Sequence, residues 1–322
     1  MFRTIPLRQE HLEDAARLVS ERYQHLCGQV PDLPQHYADP SQLALLLQDI
    51  IKPEIPGVAA LQGSRLVGFL TAWHMPNFRG KRSIFSPEWA NAAVLEDSAR
   101  IYDALYREIS GDWSTEKYSA HYISLFPNDR QALQQWHWLG FGMFAVDGLR
   151  SVEPIPCSQP GVQIRRAGLE DIETVVALHD ELWKYIKGPP IFVLNDRNDR
   201  KFFEEWLQDS GKVIWLACSQ DEPLAFLRMG PADDDVCTII VDEQTTSIYA
   251  AFTCQKARRA GVATALLAQA LQSAQSCGYL RCAVPFEPMN RLGSQFWLRY
   301  FQPVCYSFLR IIDERLTEEQ EK

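Results

Sequence analysis

The chain has 322 residues, of which 46% are hydrophobic and 23% are charged, so it is long enough for two globular domains. Its net charge of −9 argues against a general nucleic-acid-binding protein, because contacts to phosphates need a basic surface. No apolar run approaches the ~20 residues of a membrane-spanning helix. We therefore expect neither a nucleic-acid partner nor a membrane partner.

The predicted elements follow the same order twice along the chain. In the first stretch, hydrophobic periodicity predicts a strand at 2–7, helices at 11–26 and 41–51, strands at 57–62 and 65–74, a helix at 97–109, a strand at 119–125 and a helix at 129–138. In the second stretch it predicts a strand at 162–166, helices at 170–186 and 199–209, strands at 213–219, 223–230 and 246–254, a helix at 262–276, a strand at 280–285, a helix at 291–300 and a strand at 304–312. The acidic tail, 314–322, is predicted to be a frayed helix.

The repeat spacing of these two stretches predicts duplicated domains. Between them lies a segment with three prolines and a glycine, which is typical of an extended linker. We therefore predict domains at 1–152 and 161–322, joined by a linker at 153–160.

The cysteines and histidines are dispersed. The eight cysteines contain no C-x-x-C pair, and the seven histidines show no metal-binding spacing. The N-terminal residues lack the apolar core of a signal peptide. We expect no metal site, no disulfide framework, and a cytoplasmic protein with reduced thiols.

A basic segment precedes the helix predicted at 262–276. Lys256, Arg258 and Arg259 lie where the positive end of the helix dipole disfavours cations by roughly 0.3–1 kcal/mol each. The expected cap position carries no Ser, Thr, Asp or Asn. Gly261 would let the oxygens of an anion approach the backbone closely. The segment therefore predicts a phosphate-binding loop.

The sequence from Arg258 to Ala263 resembles the Arg/Gln-x-x-Gly-x-Gly/Ala signature of the GNAT N-acetyltransferase superfamily. A strand before it, an apolar helix after it, and Asn290 followed by an aromatic helix strengthen the resemblance. It covers 162–312 well and 1–150 only in outline. The resemblance implies an α/β (α+β) fold with two tandem GNAT-like domains, each a mixed, largely antiparallel sheet flanked by helices.

The same resemblance implies that this loop binds the pyrophosphate of acetyl-CoA, which would serve as a cosubstrate. The strand end at 252–254 would splay from the next strand, so that its backbone can pair with the pantetheine arm. The implied cofactor-binding residues are Phe252, Thr253, Arg258, Arg259, Ala260, Gly261, Val262, Ala263, Thr264 and Asn290.

The corresponding helix of the first stretch begins with Glu96 and Asp97 and has no glycine or arginine pair. Acidic residues satisfy a helix start internally and would repel a pyrophosphate. We interpret the first domain as a degenerate copy without a cofactor loop. It would wall the acceptor cleft or complete a pseudo-dimer.

Acetyl transfer to an amine needs a base, an oxyanion donor and a proton for the leaving thiolate. The family commonly protonates the thiolate with a Tyr, but that position is Trp297 here, which cannot act as an acid. Tyr300, one helical turn on, is the alternative acid, and an aromatic core residue is its other interpretation. Glu287, in a proline-bounded loop just before Asn290, is the first choice of base, although a solvated loop carboxylate is an equal interpretation.

The predicted function is that of an N-acetyltransferase, an acyltransferase that moves acetyl from acetyl-CoA directly to an amine. A CoA-binding regulatory or scaffolding module without turnover is one alternative, and an aminoacyl transferase of tandem GNAT type is another. The predicted partner is an amine-bearing small molecule or a peptide acceptor. A monomer with an internal pseudo-dimer and a homodimer both remain open.

Overall fold

The computed structural model describes residues 1–157, 161–194, 198–220 and 222–318. The last three residues of the predicted linker 153–160 and the end of the predicted helical tail lie outside the described residues. The described chain divides into two compact units. The first unit contains Met1–Asp147, Cys237–Ile239 and the chain from Pro303 onward, and the second contains Gly148–Val236 and Ile240–Gln302.

The predicted elements occur in the predicted order, with additional strands between and after those of the first stretch. The first part of the chain contains β1 (Arg3–Pro6), α1 (Leu12–Cys27), α2 (Pro40–Ile50), β2 (Gly57–Gln62), β3 (Arg65–Thr71), β4 (Trp73–Phe78), β5 (Lys81–Ser86), β6 (Asn91–Ala93), α3 (Ser98–Thr115), β7 (Ala120–Leu125), α4 (Arg130–Trp138) and β8 (Gly142–Ser151). The second part contains β9 (Gln163–Arg166), α5 (Ile172–Lys187), α6 (Arg200–Gln208), β10 (Val213–Ser219), β11 (Glu222–Pro231), β12 (Thr245–Thr253), α7 (Val262–Ser276), β13 (Arg281–Phe286), α8 (Arg291–Tyr300), β14 (Gln302–Ile311) and α9 (Arg315–Glu318).

The first unit contains two groups of paired strands. One is an antiparallel sheet in the order β1-β2-β3-β6. In the other, β4 pairs antiparallel with β5, β5 parallel with β7, and β7 antiparallel with β14. Helix α3 buries Ile101, Leu105 and Ile109, which recur at four-residue spacing and so form one apolar face against the core.

The second unit is built on β9, β10, β11 and β12, which pair antiparallel in spatial order, while β13 joins β12 in parallel. Its core contains Phe203 of α6, Leu216 of β10 and Phe226 of β11, all fully buried. The predicted fold class, a mixed and largely antiparallel sheet architecture with flanking helices, is confirmed.

The domain boundaries differ from the predicted 1–152 and 161–322. Strand β14 was expected in the second domain, but it pairs with β7 from Tyr306–Leu125 to Ile311–Ala120. Its residues Val304 and Phe308 are buried in the first unit. The chain also leaves the first unit at Asp147, inside β8, rather than in the proline-rich linker. The cause is backbone pairing, which the repeat in the sequence does not specify.

Within the described ranges, no helix combines the length and the apolarity that a membrane crossing requires. All eight cysteines lie in those ranges, and each is a free thiol.

Candidate functional site

The loop between β12 and α7 reverses the chain through two left-handed residues. A 3-10 turn at Gln255–Ala257 follows β12, and Arg259 and Gly261 then adopt φ angles of 62° and 84°. Such angles strain a residue that has a Cβ but are freely available to glycine. Because Gly261 is the residue directly before α7, its conformation sets the direction in which the helix begins.

The start of α7 leaves a run of backbone donors open. The first hydrogen bond into the helix is donated by the N–H of Ala265 to the carbonyl of Gly261, at 3.0 Å. The N–H groups of the first helical turn, from Val262 to Thr264, precede this bond, and no side chain caps the helix. Consecutive unpaired N–H groups at a helix N-terminus form an anion-binding concavity. The geometry therefore suits a phosphate.

Strands β12 and β13 are paired only at their beginnings. Their parallel register runs from Thr245–Arg281 to Ser247–Ala283, and both strands continue beyond it. On its other side, β12 shifts register against β11 around Tyr249, which marks a β-bulge. A bulge increases local twist and turns a strand away from its neighbour. The predicted splay is thus present in the pairing pattern, and it opens toward Phe252 and Thr253.

The two loop arginines have separate environments. Arg258 is half-buried, and its Nε donates to the carbonyl of Thr253 at 3.1 Å. Its guanidinium lies 4.9 Å from the ring centroid of Tyr185, on α5, and 5.8 Å from that of Phe252. Arg259 is exposed. Arg258 therefore braces the strand end, while the charge of Arg259 remains accessible to a ligand.

Asn290 forms the N-terminal cap of α8. Its Oδ1 accepts hydrogen bonds from the N–H of Gly293 and from the hydroxyl of Tyr185, both at 3.2 Å. With the oxygen engaged twice, the Nδ2 amino group is the part of the side chain that can serve a ligand. A Cβ at Gly293 would lie 2.8 Å from this Nδ2, so the folded-back amide explains the glycine at this position.

Tyr185 was missed by the sequence analysis. Its hydroxyl holds Asn290 and its ring supports Arg258, so it links two predicted cofactor residues across α5. In the sequence, Tyr185 is one of several residues that form the apolar stripe of an amphipathic helix. This pattern is typical of tyrosines that pack in a core, and it does not indicate the contacts with Asn290 and Arg258.

Tyr300 lies at the phosphate end of the site. Its hydroxyl is 3.0 Å from Oγ1 of Thr264, in the first turn of α7. Trp297, one turn earlier, is 8% exposed and packs against Phe296 and Phe301. The structure therefore brings Tyr300 to the predicted pyrophosphate loop, and its role as a general acid stays a prediction.

Glu287 directly follows the last residue of β13 and is half-buried. Its carbonyl accepts from the N–H of Asn290 at 3.1 Å, which forms the turn into α8. Its carboxylate makes no hydrogen bond or ion pair with another described residue. The side chain is thus positioned at the open ends of the splayed strands, with its proton-accepting oxygens available.

A buried cation lies beside the bulge. Arg228 of β11 is 8% exposed, and its guanidinium lies 4.5 Å from the ring centroid of Trp206 and 5.7 Å from that of Tyr249. Burial lowers the pKa of this guanidinium to about 10. Its Nε and Nη1 have no partner among the described residues. Such donors are ordinarily satisfied by water or by a ligand.

In the first unit, the start of α3 lies beside a buried network of polar side chains. Ser98, the first residue of α3, donates to Asp129 at 2.9 Å, and Asp129 also caps α4. Arg22 pairs with the same carboxylate at 3.2 Å, and both charged side chains are at most 8% exposed. Asp129 thus binds the side chain of the first residue of α3. Asp97, at the cap position of this helix, accepts no hydrogen bond from its first turn, contrary to the expectation that the acidic residues satisfy the helix start.

Comparison with known proteins finds similarity to one family within the second unit. Residues 176–291 match the model of the acetyltransferase (GNAT) family. An uncharacterized N-acetyltransferase, YuaI, of Bacillus subtilis strain 168 is 30% identical over 113 residues, which are 34% of this chain and 61% of that relative. The chain thus spans about three fifths of the length of this curated relative.

Two solved structures share the fold. A GCN5-related N-acetyltransferase from Sphaerobacter thermophilus aligns with a TM-score of 0.58 at 10% identity, over 96% of this chain and 95% of that one. A glucosamine N-acetyltransferase region of a fungal multi-domain GH3 β-N-acetylglucosaminidase aligns with a TM-score of 0.54 at 11% identity, over 96% of this chain and 38% of that one.

Proposed function

We propose that the chain moves an acetyl group from acetyl-CoA directly to an amine, because residues 176–291 match the model of the acetyltransferase (GNAT) family. The observation that carries the proposal is the uncapped start of α7, where the N–H groups from Val262 to Thr264 precede the first intrahelical hydrogen bond. These donors and the helix dipole suit the charged groups of a pyrophosphate. The acceptor is an amine-bearing small molecule or peptide.

The splayed strands would hold the rest of the cosubstrate. Extended amides of the pantetheine arm can pair with the backbone of β12 beyond Ser247, where β13 no longer does. The carbonyl of Thr253 already accepts from Arg258, so the open backbone groups lie further up the strand. The side chain of Phe252 is buried, and this residue would contribute its backbone alone.

Glu287 would take the proton of the incoming ammonium, directly or through water. The free amine then attacks the thioester carbonyl, the C–N bond forms, and the tetrahedral intermediate collapses with cleavage of the C–S bond. The thiolate that leaves takes up a proton, so that one proton is released overall for each ammonium consumed. Transfer is direct, because none of the residues assembled at the site is an activated nucleophile.

Release of free thiol from acetyl-CoA, measured across a panel of amines, tests this assignment. We expect turnover by the wild type and a loss of kcat of about 10²-fold or more in Glu287→Gln, since general-base catalysis contributes at that level. Glu243→Gln, which changes an exposed carboxylate of the same unit, is the matched control and should keep full activity. Full activity of Glu287→Gln would remove Glu287 from the mechanism.

A CoA-binding module without turnover is the second candidate. It is favoured by Trp297 in the position of the usual acid and by the hydrogen bond that ties the hydroxyl of Tyr300 to Thr264. Tight binding of acetyl-CoA with no thiol release for any amine would support this candidate and exclude the enzyme.

A further inference from the structure

Three potential metal ligands converge in the core of the first unit, and none of them belongs to the site described above. They are the carboxylate of Asp147 and the thiols of Cys237 and Cys305, and their ligand atoms all lie within 4.8 Å of one another. The three residues are between 0% and 9% exposed. They come from the three chain segments that make up this unit, so each segment contributes one ligand.

The chemistry of this set favours a thiophilic divalent cation. Two sulfurs and one carboxylate oxygen match the preference of Zn²⁺, whereas Mg²⁺ and Ca²⁺ take oxygen ligands alone. In a tetrahedral zinc site, with Zn–S bonds of about 2.3 Å, neighbouring ligand atoms are roughly 3.5–4 Å apart. The observed spacing therefore requires little movement to surround an ion.

A second observation is a further carboxyl group buried in the same place. Glu88 is 2% exposed, and its Oε1 accepts from the N–H of Ile239 at 3.1 Å. Neither Glu88 nor Asp147 forms an ion pair with a described arginine or lysine. Buried carboxylates are costly unless a cation or a proton compensates them. Glu88 also holds the short segment that carries Cys237, and so orients one of the ligands.

We propose that Asp147, Cys237 and Cys305 bind one Zn²⁺-class ion as a structural site, with water or Glu88 in the fourth position. The two thiols release their protons to solvent as the ion binds, and no oxidation is involved. The ion would fasten β8, the segment 237–239 and β14 to one another. Because the three ligands are distant in sequence, no short metal-binding motif could predict this site from the sequence.

Titration of the reduced, metal-free, full-length protein with Co²⁺ tests the proposal. We expect one Co²⁺ per chain, with the charge-transfer absorption of bound thiolate, displaced by one equivalent of Zn²⁺. Cys237→Ser and Cys305→Ser should lose this absorption. Cys282→Ser replaces an equally buried thiol outside the cluster and is the matched control, which should keep it.

Near-ultraviolet circular dichroism shows whether each serine variant folds. If a variant does not fold, the Co²⁺ absorption of the wild type still tests the proposal. Absence of thiolate absorption in the reduced wild type at stoichiometric Co²⁺ would overturn the proposal. Retention of the full absorption in folded Cys237→Ser and Cys305→Ser would overturn it equally. An increase in Tm with Zn²⁺ in the wild type and in Cys282→Ser, lost in Cys305→Ser, is the supporting result. Each readout is independent of acetyl transfer.

Discussion

At the residue scale, side chains that are adjacent in sequence have different roles in the site. Arg258 and Arg259 are adjacent in sequence, yet one packs on Tyr185 and the other is exposed. That both arginines belong to a candidate phosphate-binding loop was predictable, because three cations precede a helix N-terminus that disfavours them. Their division of labour was not, because it depends on Tyr185, which comes from a helix more than seventy residues earlier.

The hydroxyl of Tyr300 is expected to support phosphate binding. Tyr300→Phe removes its hydrogen bond to Thr264, a loss of about 0.5–1.5 kcal/mol. We expect a rise of roughly two- to tenfold in KM for acetyl-CoA with kcat unchanged, measured by steady-state kinetics. Tyr279→Phe, just beyond the other end of α7, is the control. A large fall in kcat with unchanged KM would instead restore Tyr300 as the general acid.

A buried histidine makes the first unit sensitive to acid. His121 is fully buried, with Nδ1 2.9 Å from the hydroxyl of Tyr106 and Nε2 3.1 Å from the carbonyl of Tyr118. Burial lowers the pKa of His121 from 6.5 to about 4. Between pH 6.5 and pH 4, this histidine is therefore protonated in the unfolded chain but neutral in the folded one.

The contribution of His121 to the free energy of unfolding is therefore expected to fall by up to about 3 kcal/mol as the pH drops through this window. The profile of His121→Gln should lack this contribution, whatever the effect of the substitution on stability at neutral pH. Urea unfolding at a series of pH values measures both. An unchanged slope in the variant would contradict the assignment of this sensitivity to His121.

At the scale of elements, α7 has a left-handed glycine at each end. Gly261 precedes the helix with φ of 84°, and Gly278 follows it with φ of 89°. An alanine in this conformation costs roughly 1–2 kcal/mol. Gly261→Ala and Gly278→Ala should therefore destabilise the protein by similar amounts in thermal or urea unfolding.

The two variants should differ in ligand binding, because only Gly261 adjoins the open N–H groups. We expect acetyl-CoA affinity to fall at least tenfold in Gly261→Ala and to stay near that of the wild type in Gly278→Ala. Equal affinity of the two variants would show that the loop conformation does not matter for the cosubstrate.

Helix bounds were more predictable than strand partners. Helices α7 and α8 occupy the predicted 262–276 and 291–300, because apolar periodicity and end signals are local. Strand β14 was also predicted, but not its pairing with β7. Pairing partners depend on long-range contacts, and an alternation of residues fits more than one neighbour. Strands β5, β6 and β8 were not predicted at all, and β4 was predicted only at its first two residues.

At the scale of the whole molecule, we propose that the chain repeats one plan with two outcomes. The acidic start at Glu96 and Asp97 predicts that the first copy lacks a phosphate site. In the structure, the first residue of this helix, Ser98, donates to Asp129, which also pairs with Arg22. The ion pair itself was beyond prediction, since Arg22 and Asp129 are 107 residues apart in sequence.

Isothermal titration of the intact protein with acetyl-CoA tests the central claim most directly. The account predicts one cosubstrate per chain and loss of binding when Arg258, Arg259 and Gly261 are changed together. Binding that survives this triple change, a stoichiometry of two, or no binding by the wild type would contradict it.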